Sequence, residues 1–288
     1  MKRLLIPINF SEASKEALPM AFHIAHTTGA ALTFLTSGAS PLTEDNLSEY
    51  LRRPLPQDPQ ARQAALLQAL QDLTKPYEEK TSIAVAHQIR HGLFMRDIVD
   101  QVQEALEKEQ PYDLIVMGTH GVQIPAESIW GTYTANLIHE IETPMLIVPV
   151  GAGHKLPKHL IFAATLEDND ALSLQYLKQY TDIFPADLTC LHITTTANDE
   201  ADAKERLLNL EANYVFTPVH AVKFELMHDD RVSHGLQAYL QSHDPALLAI
   251  RPKHRNFIES LFRASLSRQL ALHSQHPILI IRDPHQKL

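Results

Sequence analysis

The sequence predicts an α/β protein of two tandem units, each a doubly wound sheet of five parallel strands. Three observations predict this class. Short apolar runs alternate with longer amphipathic stretches, which is typical of a parallel sheet whose crossover connections are helices. The length of 288 residues suits two domains, at roughly 100–200 residues each. The second half of the chain also repeats the pattern of the first.

The first unit is predicted over residues 1–150. Strands are expected at its short apolar runs, near 3–8, 31–36, 82–89, 113–118 and 144–149. Helices are expected in the amphipathic stretches, near 11–27, 60–80, 93–109 and 132–141. Ser11 precedes the first helix and is a suitable N-cap. In such sheets ligands bind beyond the carboxyl ends of the strands, where the strand order reverses.

The second unit is predicted over residues 157–284, because three segments of the two halves align. The aligned pairs are Lys2–Asn9 with Lys158–Thr165, Ala31–Thr36 with Asp187–His192, and Pro144–Pro149 with Pro277–Arg282. Residues 150–157 contain two glycines and end in proline, so they are predicted to be a short linker. The two last strands are apolar edges, and we expect them to pair the halves as a pseudo-dimer. A homodimer of such chains stays equally open.

A glycine-rich segment after the fourth strand gives the strongest functional signal. Gly118 and Gly121 are followed, after nine intervening residues, by Gly131-Thr132. Glycine lets a backbone approach a ligand closely, and a turn that opens a helix offers N–H groups and a dipole to an anion. The spacing in this strand–turn–helix context therefore predicts a phosphate site. Replacing Gly118 by Val is expected to abolish binding and to leave the fold intact.

The segments Leu4–Ser14 and Ile115–Pro149 resemble the nucleotide-binding branch of the universal stress protein family, whose fold is Rossmann-like. The resemblance covers residues 1–150, and a weaker copy covers the rest. It implies a site for ATP or ADP, with or without Mg²⁺ or Mn²⁺. The residues implied to form it are Pro7, Asn9, Ser37, Met117, Gly118, Gly121, Gly131, Thr132 and Tyr133.

Two departures from the family pattern stand out. The family carries an Asp on the first strand that contacts the adenosine end of ATP, whereas this chain has Asn9, which can form hydrogen bonds but carries no charge. In the second half, the three glycine positions are occupied by Arg251, His254 and Ala264. We therefore expect a degenerate second unit without a triphosphate site. The alternative is that Arg251, Lys253, His254 and Arg255 hold a different anion.

The connection 38–62 is long for a loop between a strand and a helix, and such loops beside a site are often lids. Arg52 and Arg53 would then reach the phosphates as bidentate donors. The alternative is a solvated surface turn.

Composition excludes several classes of function. The net charge of −9 argues against general nucleic-acid binding. No apolar run approaches the roughly 18–20 residues of a membrane helix, and no cleavable signal is expected. A single cysteine, Cys190, excludes a disulfide framework and favours a reducing cytosol. His23 and His26, and likewise His87 and His91, have helical spacing without an evident third ligand, so no metal-ligating residues are predicted.

The sequence therefore predicts a cytosolic ATP- or ADP-binding regulatory protein of the stress response, with one competent site in the first unit. Binding would order residues 38–62 and change a surface for an unknown protein partner. No catalytic residue is predicted, since neither a Walker lysine nor a base near the γ-phosphate is evident. Two alternatives stay open: a nucleotide-independent scaffold, and a slow ATP hydrolase whose rate depends on Thr132.

Overall fold

The computed structural model describes residues 1–38, 41–52, 54–119, 137–138, 140–167, 169–196, 199–214, 222–251 and 276–282. The described residues form two compact units, one that ends at His154 and one that begins at Lys155. None of the helices in these ranges is long and apolar enough to cross a bilayer.

The first unit contains strands β1 (Arg3–Pro7), β2 (Ala31–Ser37), β3 (Val85–Arg90), β4 (Leu114–Thr119) and β5 (Met145–Pro149). Its helices are α1 (Glu12–Thr28), α2 (Pro41–Leu51), α3 (Pro59–Glu78) and α4 (Phe94–Glu107). The strands pair in parallel in the order β3-β2-β1-β4-β5. The order reverses between β1 and β4, so a ligand crevice is expected at the carboxyl ends of these two strands.

The second unit contains strands β6 (His159–Ala163), β7 (Asp187–Thr194), β8 (Val222–His228), β9 (Ala246–Ile250) and β10 (Ile278–Ile280). Its helices are α5 (Asp170–Ile183), α6 (Glu200–Asn213) and α7 (Val232–Ser242). The strands again pair in parallel, in the order β8-β7-β6-β9-β10. This is the order of the first unit, so the predicted class of two tandem parallel α/β units is confirmed.

The strand registers fix which residues correspond between the units. Leu4 lies opposite Leu114 in the first unit, and Leu160 lies opposite Leu247 in the second. Counting four residues on from the second member of each pair, Gly118 and Arg251 occupy equivalent positions at the ends of β4 and β9. The alignment inferred from the sequence therefore holds at the predicted phosphate turn.

Helix α1 begins and ends at residues suited to those positions. Ser11 has extended backbone angles (φ −65°, ψ 159°), and its hydroxyl oxygen accepts the Ser14 N–H at 3.2 Å, which confirms the predicted N-cap. Gly29 ends the helix at φ 71° and donates its N–H to the Ala25 carbonyl. The helix then packs along β4, β1 and β5.

The segment 38–62 differs from its prediction. No helix was expected between residues 38 and 60, yet α2 occupies Pro41–Leu51 and α3 begins at Pro59. On α2, Thr43 and Leu47 are buried, which contradicts the alternative of a solvated surface turn. Most of the helix predicted near 132–141 lies outside the described residues.

Candidate functional site

Asn9 organises the loop that follows β1. Its Oδ1 accepts hydrogen bonds from the Ser11 backbone N–H at 3.2 Å and from the Ser11 hydroxyl at 2.7 Å. The hydroxyl oxygen already accepts the Ser14 N–H, so its own proton goes to Asn9. The N–H and the hydroxyl of Ser11 both need an acceptor, so the amide oxygen of Asn9 points towards them and its Nδ2 points away. Asn9 has no exposed surface, and its Nδ2 has no hydrogen-bond partner among the described residues.

This arrangement reverses the polarity that a carboxylate would have. An aspartate would present a second acceptor oxygen at this place, whereas Asn9 presents two N–H donors. A buried donor without a partner costs about 1–3 kcal/mol. A ligand group that faces Asn9 must therefore offer a lone pair, as ribose hydroxyls, ring nitrogens and carbonyl oxygens do.

The residue after Asn9 holds a strained backbone. Phe10 has φ 62°, in the left-handed region that non-glycine residues rarely adopt. Its ring is buried and lies 5.7 Å from the ring of Tyr50 on α2, measured between centroids. Packing of the ring thus stabilises the loop conformation in which Ser11 hydrogen-bonds Asn9 Oδ1.

On β2 and α2, four more buried polar atoms lack hydrogen-bond partners among the described residues. They are Thr36 Oγ1, Ser37 Oγ, Thr43 Oγ1 and Asn46 Nδ2. The pairing of Pro7 with Leu35, continued by the bond from Ile8 N–H to the Leu35 carbonyl, brings Asn9 beside the end of β2. Folded proteins leave few such groups unpaired, so their concentration here marks a place built to receive a polar ligand.

Gly118 lies at the end of β4, on the other side of β1. A Cβ at this position would stand 1.7 Å from the Ala13 carbonyl oxygen and 2.9 Å from the Ser14 Cα. The close packing of α1 on β4 therefore requires glycine here, without reference to any ligand. The expectation that Gly118→Val leaves the fold intact is wrong for this reason.

The structure describes five of the nine implied site residues and places them at the carboxyl ends of three neighbouring strands, β2, β1 and β4. These five are Pro7, Asn9, Ser37, Met117 and Gly118. Gly121, Gly131, Thr132 and Tyr133 lie outside the described residues. The phosphate half of the site therefore stays a prediction. Arg53 also lies outside, and Arg52 is exposed at the end of α2 with φ 53°.

Sequence reasoning missed Thr36, Thr43 and Asn46. On α2 a signal was available, because Thr43, Asn46, Leu47 and Tyr50 follow the i, i+3, i+4, i+7 spacing of one helix face. A face that mixes two apolar and two amide or hydroxyl side chains suits a polar cavity better than a dry core.

A cavity of about 340 Å³ opens farther along the same edge of the sheet. It is lined by Gly38 after β2, His91 after β3, and residues at the start of α3. Its volume lies at the lower end of the range of small-molecule sites, about 300–1,000 Å³. The strand ends from β1 to β3 thus carry both buried polar groups and open space.

The second unit has a buried ion pair at the equivalent position. Arg251 Nη2 lies 2.7 Å from Asp170 Oδ1, and the two side chains are only 4% and 1% exposed. The other oxygen of Asp170 accepts the N–H groups of Thr165 and Leu166 at 2.9 and 2.7 Å. Burial raises the pKa of Asp170, and the guanidinium opposes that rise. Lys253, His254 and Arg255, the other members of the proposed anion cluster, lie outside the described residues.

The second unit makes room for this pair by starting its first helix later. In the alignment of the two units, Asp170 corresponds to Ser14, and α5 begins two residues later than α1. The helical turn that presses on Gly118 in the first unit is therefore replaced by the side chains of the pair.

His87, one of the histidines at helical spacing, belongs to a packed polar cluster. Its Nε2 lies 2.8 Å from the Thr74 hydroxyl, which also contacts Glu78. Burial lowers the pKa of His87. Threonine, histidine and glutamate are residue types of hydrolase sites, but Thr74 has no exposed surface, so a substrate has no access to it. Within the described ranges, no group of three or more His, Cys, Asp or Glu is arranged to hold a metal ion.

The strand order defines a doubly wound parallel α/β protein of the Rossmann-like class. The model of the universal stress protein family matches residues 1–149, more than half of the chain. The chain therefore belongs to the universal stress protein family. No curated protein sequence matches it.

Solved structures of similar fold cover nearly the whole chain. A universal stress protein from Archaeoglobus fulgidus is 13% identical, with a TM-score of 0.70 over 98% of both chains. A functionally unknown protein from Pseudomonas aeruginosa is 15% identical, with a TM-score of 0.64 over 98% of this chain and 93% of its own. The cytoplasmic domain of a prokaryotic cation chloride cotransporter is 12% identical, with a TM-score of 0.58 over 99% and 97%. At these identities the likeness concerns the fold alone.

Proposed function

We propose that this universal stress protein is a regulatory protein of the stress response that binds one ATP or ADP in its first unit. The observation that carries the proposal is the buried, unpartnered amide nitrogen of Asn9, at the point where the strand order reverses. Unpartnered hydroxyls on Thr36 and Ser37 lie at the end of the neighbouring strand. Membership of the family suggests that the ligand is a nucleotide.

The nucleoside part lies over the ends of β1 and β2, and the phosphates extend towards β4. Adjacent strands are about 4.8 Å apart, so the distance from β2 to β4 is about 10 Å. Gly121, Gly131, Thr132 and Tyr133 supply the backbone groups and the hydroxyl for the phosphates. Mg²⁺ or Mn²⁺ would be carried by the phosphate oxygens, since the unpartnered side chains after β1, on β2 and on α2 are amides and hydroxyls.

The second unit takes no nucleotide in this proposal. The Arg251–Asp170 pair lies at the end of β9, at the place that corresponds to Gly118 in the first unit. A guanidinium bound to its own carboxylate is a poor anion receptor, because an incoming phosphate has to displace that carboxylate. The stoichiometry is therefore one nucleotide per chain.

The proposed role is regulation in the cytosol rather than catalysis. The Thr74 hydroxyl is closed to substrate. Burial raises the pKa of the Cys190 thiol, which keeps it unreactive. One unreactive cysteine suits a reducing compartment. A protein partner of unknown identity would respond to the bound state.

The test is gentle purification, denaturation and chromatographic identification of any nucleotide that is released. About one ATP or ADP per chain, or saturable binding of added Mg-ATP with that stoichiometry, supports the proposal. Two nucleotides per chain would contradict the role given to the Arg251–Asp170 pair. A Thr165→Val variant, altered at the position equivalent to Asn9, serves as a control and should retain the full nucleotide content.

A nucleotide-independent scaffold is the second candidate. It is favoured by Gly118, whose glycine is explained by the packing of α1 alone. An empty protein that also fails to bind added Mg-ATP would make this candidate the better one.

A further inference from the structure

Helix α2 has one buried face, and two members of that face are polar. Thr43, Asn46, Leu47 and Tyr50 follow the spacing of a single helix stripe. Thr43 is 1% exposed and Leu47 is fully buried. A helix on the outside of a sheet normally buries apolar residues, so a hydroxyl and an amide on this face require an explanation.

The position of α2 follows from its two ends. It begins at Pro41, shortly after β2 ends at Ser37. Near its other end, the Tyr50 ring lies 5.7 Å from the Phe10 ring and 4.7 Å from the Lys15 ammonium group. Since Phe10 lies in the loop that follows β1, α2 extends from the carboxyl end of β2 to that of β1. Its buried face is therefore directed towards this edge of the sheet.

Unpartnered polar atoms are present on both sides of this contact. Asn9, Thr36 and Ser37 contribute them from the strand ends, and Thr43 and Asn46 contribute them from the helix. All five groups are neutral amides or hydroxyls. Such groups match the hydroxyls and the base edge of a nucleoside, whereas a phosphate would require cations or a cluster of backbone N–H groups.

We propose that α2 is a wall of the ligand site, in which Thr43 and Asn46 hydrogen-bond the nucleoside from the side opposite to Asn9, Thr36 and Ser37. This inference rests on the proposed nucleotide binding. Because these groups are closed off from solvent, α2 must move away from the strand ends to admit the ligand. The Tyr50 contact with Phe10 and Lys15 holds the helix closed.

A Thr43→Val variant tests the inference, because it changes stability and binding in opposite directions. Removing an unpartnered buried hydroxyl should raise the melting temperature of the ligand-free protein. Losing its hydrogen bond to the ligand should weaken binding of Mg-ATP about 5- to 10-fold. Both are measured on the full chain, by thermal melting after removal of nucleotide and by calorimetric titration.

Thr74→Val is the matched control. Thr74 is as buried as Thr43, but its hydroxyl is bonded to the Leu70 carbonyl at 3.2 Å and to His87 at 2.8 Å. This variant should therefore melt at a lower temperature and bind Mg-ATP as the parent does. Asn46→Leu provides a second test on the helix and should show the same pair of changes as Thr43→Val.

The outcomes separate this inference from the function on which it rests. If Thr43→Val melts lower, as the control does, or binds Mg-ATP as tightly as the parent, the inference is overturned and nucleotide binding stands. If the parent protein binds no Mg-ATP, both are overturned. Hydrogen exchange adds a further check, since Tyr50→Ala should lose amide protection across α2, and retained protection would contradict the closing role of Tyr50.

Discussion

Gly118→Ala should destabilise the first unit by about 3 kcal/mol, at the upper end of the usual cost of overpacking. The added Cβ would stand 1.7 Å from the Ala13 carbonyl oxygen and 2.5 Å from the Ala13 carbonyl carbon. These are backbone atoms of α1, so no side chain can rotate away. The helix itself must move from β4 by more than an ångström, which disturbs its packing along the whole strand.

Thermal melting measures this effect, and a loss of that size corresponds to a fall of about 6–12 °C for a unit of about 150 residues. Gly29→Ala is the control. At Gly29 no atom lies within 4 Å of an added Cβ, and only the φ of 71° is unfavourable. Its expected cost is about 1 kcal/mol. The two variants thus compare a steric clash with backbone strain alone.

One result would refute the packing argument. If Gly118→Ala melts with the parent protein but no longer binds nucleotide, the space beside Gly118 belongs to the ligand and not to α1. A large loss of stability in this variant would also show that its loss of binding says nothing about the phosphate turn.

Three further outcomes are expected. Asn9→Asp should weaken binding of the co-purifying nucleotide about tenfold, because a carboxylate oxygen would then face the ligand's acceptor atom in place of the Nδ2 donor. Unchanged or tighter binding in a titration would show that the ligand donates a hydrogen bond at this place. Arg251→Met should lower the free energy of unfolding of the second unit by about 3–5 kcal/mol, because it leaves the Asp170 carboxylate buried without its cation. Urea unfolding should show partial recovery of stability when Asp170→Asn is added, and no recovery would contradict the pairing. Burial lowers the pKa of His276 below its usual 6.5, so near this pH the unfolded chain binds more protons than the folded one. The contribution of His276 to the stability of the second unit is therefore fully present above about pH 6.5 and is lost as the pH falls below it. His276→Gln should flatten this pH dependence when urea midpoints are compared about one pH unit above and below 6.5. An unchanged slope would assign the pH dependence to other groups.

The strands of the first unit were predictable because their burial on both faces leaves continuous apolar runs in the sequence. β4 and β5 begin and end within one residue of the prediction. β3 was placed less well, since its side chains are only half-buried and its apolar pattern is weaker. Helix α2 was missed because two of the four residues on its buried face, Thr43 and Asn46, are polar, so its apolar pattern is weak. Short helices also depend on tertiary packing for their stability.

The site was predictable in part, through resemblance at Asn9 and Ser37. What the sequence cannot express is whether a buried polar group finds a partner, since that depends on neighbours brought together by folding. Thr43 and Thr74 illustrate this, because both are buried helical threonines and only one has a bonded hydroxyl. Gly118 is a second example, since the sequence alone does not indicate whether a ligand or a packed helix requires glycine at this position.

The Arg251–Asp170 pair constrains how the two halves of a duplicated chain can diverge. An arginine introduced opposite a serine, or an aspartate introduced opposite a glycine, would bury a charge without its counter-ion, and each change alone would cost several kcal/mol. The two substitutions are therefore epistatic, since each is tolerated only in the presence of the other. The same dependence blocks the return path, because losing either member first is again costly. Single mutations therefore do not readily convert the pair of the second unit into the serine and glycine of the first.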